Sequence, residues 1–253
     1  MKYQKISKFV FVESLYSVRI YYAIFVAVLA LLVFSSRSSG GNMSSSGLEF
    51  STVIFLFVAG LNSFRSYFYF SQGVSVARKT FIKGLIVGIL PMTMLMSVID
   101  LVLNRIYNTF VPSPTMFDML YTAFRDTGMR NWNTLEFIWK QSNEIPLLVN
   151  TIIWQFALYT FVCLVGLLIT LIYYRSNKWM RVIVSISPVI FFMLMRSLGN
   201  YLTDFSGSIA TFMDNAFGYS RMNPYMGVLT FLATGAILTV FIYLLTRKAE
   251  IKD

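Results

Sequence analysis

Arg78, Lys79 and Lys83 stand close together in the run GVSVARKTFIKG, from Gly73 to Gly84, between two long apolar stretches. Bases so placed can pair with acidic groups on another protein. They can equally do no more than hold the segment on one side of a membrane. Two isolated ions, Asp100 and Arg196, lie within apolar runs. An ionisable group at such a place is a gating or substrate-path candidate. Both sit near the ends of their runs, where snorkelling or pairing across helices accounts for them as well. Other chemistry is excluded. The chain has no histidine and a single cysteine, Cys163, within an apolar run. Ser-His and Cys-His nucleophiles, the usual zinc sites, a histidine relay and an internal disulfide are thereby removed. No Gly-x-x-x-x-Gly-Lys-Ser/Thr phosphate loop occurs, so ATP is not hydrolysed here by the usual arrangement. No span carries paired carboxylates for acid–base or metal catalysis, so the chain is read as a non-enzyme with no cofactor of its own.

The elements that position these residues follow from composition. In 253 residues, 57% are hydrophobic, 17% aromatic and 13% charged, with a mean hydropathy of +0.65. Soluble domains carry about 25% charged residues, so the chain reads as an all-α integral membrane protein. Its net charge of +10 does not point to nucleic acid, because the bases cap apolar runs instead of forming a stripe with interleaved aromatics. The apolar runs predict six spans in a single transmembrane domain covering 1–253, at 20–34, 48–70, 81–103, 145–174, 182–198 and 224–245. Residues 1–19, with Lys2, Lys5 and Lys8 three apart and Ile6, Phe9, Val10 and Leu15 offset from them, predict an amphipathic helix at the interface. This basic stretch is too long for a signal-peptide n-region. A loop at 71–80 joins spans two and three. Segments 35–47, 104–144 and 199–223 form the other side, with Met116–Phe124 and Leu135–Trp139 as short interfacial helices. Under this map fourteen bases face three acids on one side, and seven bases face eight acids on the other. Positive charge stays in the cytoplasm, so both termini and the 71–80 loop are expected there, in a multi-pass plasma-membrane protein.

Three smaller features carry alternatives. Gly84 and Gly88 lie four apart and expose backbone for close helix packing. The cluster Phe64, Tyr67, Phe68, Tyr69 and Phe70 suits interfacial anchors or the wall of a path for an amphipathic substrate. Met92, Met94 and Met96, with Met193 and Met195, suit lipid-facing packing or an adaptable binding wall.

The order of elements, together with Gly73, Val74, Ser75, Arg78, Lys79, Phe81 and Gly84, resembles the permease subunit of a type-two ABC exporter. Many such permeases carry a Gly-Val-Ser-Arg-Lys-x-Phe-Phe-x-Gly run; here Val76 and Ala77 intervene and Ile82 replaces the second aromatic. The resemblance implies a coupling loop at 71–80 that docks on a cytoplasmic ABC ATPase, which binds ATP and Mg. It also implies a second permease copy, identical or related, and outward movement of an amphipathic or hydrophobic peptide, toxin, drug or lipid-like cargo. The alternative is a stand-alone immunity or resistance protein, or a secondary carrier, working without an ATPase.

The charge split generates a topology test. With Cys163 replaced, cysteines at Ser45, Thr115 and Ser206 are expected to label with an impermeant thiol reagent in intact cells, and one at Ser75 is not. Labelling at Ser75 alone would invert the map.

Overall fold

The computed structural model describes residues 2–38, 44–122, 124, 140–177, 179–183, 186, 193 and 203–247. Every regular element among them is a helix. In chain order these are α1 (Lys2–Ser38), α2 (Phe50–Gly73), α3 (Arg78–Asn108), α4 (Met116–Tyr121), α5 (Ile145–Arg175), α6 (Thr203–Phe217) and α7 (Pro224–Arg247). Five of them, α1, α2, α3, α5 and α7, are long and apolar enough to cross a membrane. The shortest of these, at 24 residues, reaches about 36 Å at 1.5 Å per residue, which exceeds a hydrocarbon layer of about 30 Å. This is the architecture of a multi-pass membrane protein.

Local chemistry sets the helix ends. Pro146 opens α5, where its missing N–H costs no bond. Thr115 and Asp118 form a reciprocal capping box on α4. Asn223 accepts the Tyr225 N–H at the start of α7 (3.1 Å).

The helices sort into two antiparallel sets. Helices α1 and α3 run side by side in the same direction, and the pairs Ile6–Gly84, Val10–Gly88 and Tyr22–Asp100 share a register of 78 residues. Helices α2, α5 and α7 run the opposite way. Gly60 of α2 abuts Cys163 of α5, Leu61 meets Thr170, and the aromatic pair Phe64–Phe68 meets Tyr174. Trp154 and Leu164 of α5 face Gly227 and Gly235 of α7. One end of the bundle, here the basal end, therefore holds the start of α1, residues 74–77, Arg175 and Arg247. The far end holds residues 44–49, 109–122, the start of α5 and the α6–α7 turn.

Helix α5 finishes at the basal end and α7 starts at the far end. The α6–α7 turn, with Gly218 at φ +69°, packs against Met226, and the Thr230 hydroxyl donates to the Ala216 carbonyl. Residues 176–216 thus carry the chain back across the bundle. The sequence places a span at 182–198 in this interval, and most of it lies outside the described residues, as does the expected short helix at 135–139.

Three expectations are reshaped. The interfacial helix 1–19 and the span 20–34 are one uninterrupted helix of 37 residues. Its N-terminal half lays Ile6 and Val10 on Gly84 and Gly88 and so packs lengthwise against α3. The Gly84–Gly88 face is consequently filled by the chain's own α1. The loop foreseen at 71–80 narrows to residues 74–77, since Ser71 to Gly73 end α2 and Arg78 begins α3. The Phe64 cluster divides: Phe64 and Phe68 are fully buried and meet the equally buried Phe81 ring to ring at 5.0 to 6.3 Å, while Phe70 is exposed.

A second glycine pair holds α2 to α5. A Cβ on Gly60 would run into the Cys163 carbonyl oxygen, and one on Gly166 into the Phe57 carbonyl oxygen. Gly166→Val is expected to lower the thermal unfolding midpoint in detergent, at a cost of about 1 to 3 kcal/mol for overpacking. Gly73→Ala, which meets nothing within 4 Å, should leave it unchanged. Equal midpoints for the two variants would show that α2 and α5 do not depend on this contact.

Candidate functional site

The residues singled out at the basal end divide into two groups. Phe81 and Gly84 are buried, Phe81 among Phe64 and Phe68 and Gly84 under Ile6. They build the bundle. Gly73, Val74, Ser75 and Lys79 are exposed, with Val74 at 59%. Ser75 takes φ +52°, a left-handed conformation uncommon outside glycine, and it lets a connection of four residues reverse the chain. Val76 N–H donates to the Ser71 carbonyl and Val74 N–H to the Phe70 carbonyl, tying the turn to the end of α2 (3.0 and 3.2 Å). Arg78 reaches across the bundle and donates from Nη1 to the carbonyl of Arg247 (2.8 Å). A cation on a helix C-terminus satisfies one of its free carbonyls and opposes its dipole. The turn is thus bound to α2, α3 and α7 at once.

A second site lies toward the far end, and Asp100 is its centre. Asp100 is 2% exposed and accepts hydrogen bonds from the Tyr22 hydroxyl of α1 (2.7 Å) and the Tyr159 hydroxyl of α5. Three helices therefore meet on one carboxylate. Beside it stands Glu49, also 2% exposed, in the turn that leads into α2. Gln155 of α5 donates from Nε2 to Glu49 Oε1 (3.4 Å). Glu49, Asp100 and Asn104 line one small void of about 10 Å³, closed by Phe25, Leu29 and Leu48. Asn104 in turn donates to the Ser113 carbonyl (3.1 Å) and accepts from Asn108 and Gln141. Burial pushes the Asp118 carboxyl up from its ordinary range, against the lowering effect of the Thr115 bonds and Arg105. Arg196 lies outside the described residues. No group of three or more Cys, Asp or Glu suited to a metal is found among the described residues.

Between α1 and α2 there is also a groove of about 250 Å³. Glu13, Ser14, Ser17, Asn62, Ser66 and Tyr67 line it, with Ser14 and Tyr67 hydroxyls 3.1 Å apart. Glu13, on the continuous α1, lines this groove. Of the methionines, Met92 and Met96 are buried in the core while Met94 and Met193 are exposed.

Sequence reasoning singled out Asp100 but missed Glu49, Tyr22, Tyr159 and Gln155. The available signal was that Glu49 is an acid at the start of the apolar run 48–70 and that Gln155 interrupts another. Neither fact pairs them. No family model, curated protein or solved structure matches the chain.

Tyr159→Phe is expected to lower the thermal midpoint, because it takes a donor from a buried carboxylate, a loss of about 1 to 3 kcal/mol. An unchanged midpoint would mean that the bond to Asp100 does not hold α5 to α3.

Proposed function

We propose that this chain is the membrane permease subunit of an ATP-driven exporter, with the basal end in the cytoplasm and a separate ABC ATPase docking on residues 74–79. The observation that carries the reading is the 74–77 turn with Arg78. It is short, exposed, basic and bonded to three spans, so a push on it moves α2, α3 and α7 together. The chain has no phosphate loop, so free energy from ATP and Mg has to enter by contact with a partner. Arg78, Lys79, Lys83, Arg175 and Arg247 at this end also agree with a cytoplasmic orientation. The groove beside Glu13 offers an amphipathic cargo a polar wall on one side and Phe55, Ile89 and Met92 on the other. A second permease copy, identical or related, would complete the path, seated on faces other than Gly84–Gly88.

A second reading, a secondary carrier working without an ATPase, is favoured by one observation, the two buried carboxylates Glu49 and Asp100 on a shared void. Coupling ions in such carriers are handled by buried ionisable groups.

The basal turn separates these readings. Lys79→Gln removes an exposed charge that takes no part in the Arg247 tether, and it is expected to weaken ATPase association by about 0.5 to 1 kcal/mol. Arg78→Gln removes the tether as well and should lower export further at equal ATPase binding. Normal ATPase association and export in the double variant, with only mixed orientation, would reduce the turn to a topology signal.

A further inference from the structure

The far-end site holds more acceptors than donors. Glu49 Oε2 and Gln155 Oε1 are both buried without a hydrogen-bond partner among the described residues. Both Asp100 oxygens are occupied by tyrosine hydroxyls, which donate to them. The Thr52 hydroxyl is taken up with Tyr21 (2.7 Å). The titratable groups facing Glu49 are Tyr21 on α1, Asp100 and Arg105 on α3, Asp118 on α4 and Tyr159 on α5. Arg105, the cation of this set, has all three guanidinium nitrogens buried with no hydrogen-bond partner among the described residues, so it does not neutralise Glu49 by contact. Glu49 Oε2 accepts no full hydrogen bond, and the backbone N–H groups of Glu49 and Met116 are the donors that act on this carboxylate, so its charge is costly to bury. The nearby charge of Asp100 further disfavours ionisation of Glu49. The void, at about 10 Å³, is at the lower limit of size for one water and too small for a hydrated metal ion.

We infer that Glu49 is a proton-binding site that latches the far end of the bundle. Protonated, the Glu49 carboxyl carries no charge into the interior, and the Glu49 turn seats between α3 and α5. Ionised, it has to draw in water or leave the void. The turn does not move alone, because Ser45 N–H donates to the Pro112 carbonyl and Gly47 N–H to the Pro114 carbonyl (both 3.2 Å). Release of Glu49 therefore loosens 44–49 together with 112–118, and the far end opens as pH on that side rises. Burial, with the charges of Asp100 and Asp118 adding to it and the Glu49 and Met116 backbone N–H groups opposing it, pushes the Glu49 carboxyl up to about 8 from 4.5. The folded chain then holds a proton at this site that the unfolded chain has lost, so stability falls as pH rises between 4.5 and about 8. This inference stands whether or not an ATPase drives the chain.

Infrared difference spectroscopy of the purified full chain in nanodiscs tests it. At about pH 6 a carbonyl stretch of a protonated carboxylic acid is expected, vanishing at about pH 10. Labelling glutamate with ¹³C should shift it in the unsubstituted protein, Glu49→Gln should abolish it, and Asp100→Asn should leave it in place. The thermal midpoint should fall between about pH 6 and pH 9 in the wild type and hold level in Glu49→Gln. Absence of the band at about pH 6, its survival in Glu49→Gln, no shift with labelled glutamate, or its removal by sodium at constant pH would each overturn the proposal.

Discussion

Lipid chains are as apolar as leucine, so helices in a bilayer gain little from hydrophobic association and must be held by close approach and by polar contacts. In this chain glycine supplies the approach. Gly84 and Gly88 let α1 lie on α3 at one constant register, and Gly60 and Gly166 bring α2 and α5 to backbone contact. The polar contacts follow from the register. Because Ile6 seats on Gly84 and Val10 on Gly88, Tyr22 arrives beside Asp100 and not a turn above or below it. A residue larger than glycine at the basal half of α3 would thus disturb a hydrogen bond roughly four helical turns away. The polar site near the far end depends on packing near the basal end.

Much of the architecture was legible because it rests on composition and period. Long apolar runs become helices in a membrane since no water is present to satisfy the backbone, and the alternation of charge at their ends sorted them into two directions. Short-range chemistry was legible too: the Met116 helix and a short connection between α2 and α3 follow from local signals. What could not be read are pairings between distant elements. Glu49 and Asp100 belong to different helices, and nothing in spacing along the chain says that Gln155 will lie opposite one and Tyr159 opposite the other. The Gly60–Gly166 contact was hidden for the same reason, whereas Gly84 and Gly88 announced themselves by sharing one face of one helix. The N-terminal half of α1 looked interfacial because its lysines are periodic. Its apolar stripe, Ile6 and Val10, had a partner on α3 that amphipathicity alone does not reveal.

The two ends of the bundle are built on different principles. At the basal end the core is aromatic, with Phe64, Phe68, Phe81 and Tyr174 filling the space, and the charges stand outside it at the turn. Such an end is tightly packed within and charged without. At the far end the interior itself is polar, with Glu49, Thr52, Asp100, Asn104, Thr151 and Gln155 buried together. Buried polar groups specify geometry when satisfied and release it when they are not, so this end suits a change of state.

Asp100 is where these two behaviours meet. Its carboxylate accepts from α1 and α5 while it rides on α3, the helix that begins at the basal turn. Displacement of the turn along the axis of α3 would shift Asp100 against two tyrosines fixed to other helices. Hydrogen bonds weaken steeply beyond about 3.2 Å, so a slide of about one ångström is enough to break the set. Under the proposed coupling role, the two ends would be linked by one helix of 31 residues, interrupted at Pro91, with Arg78 at one end and Asp100 toward the other. On the inferred protonation of Glu49, a charge there would raise the cost of leaving Asp100 without its donors.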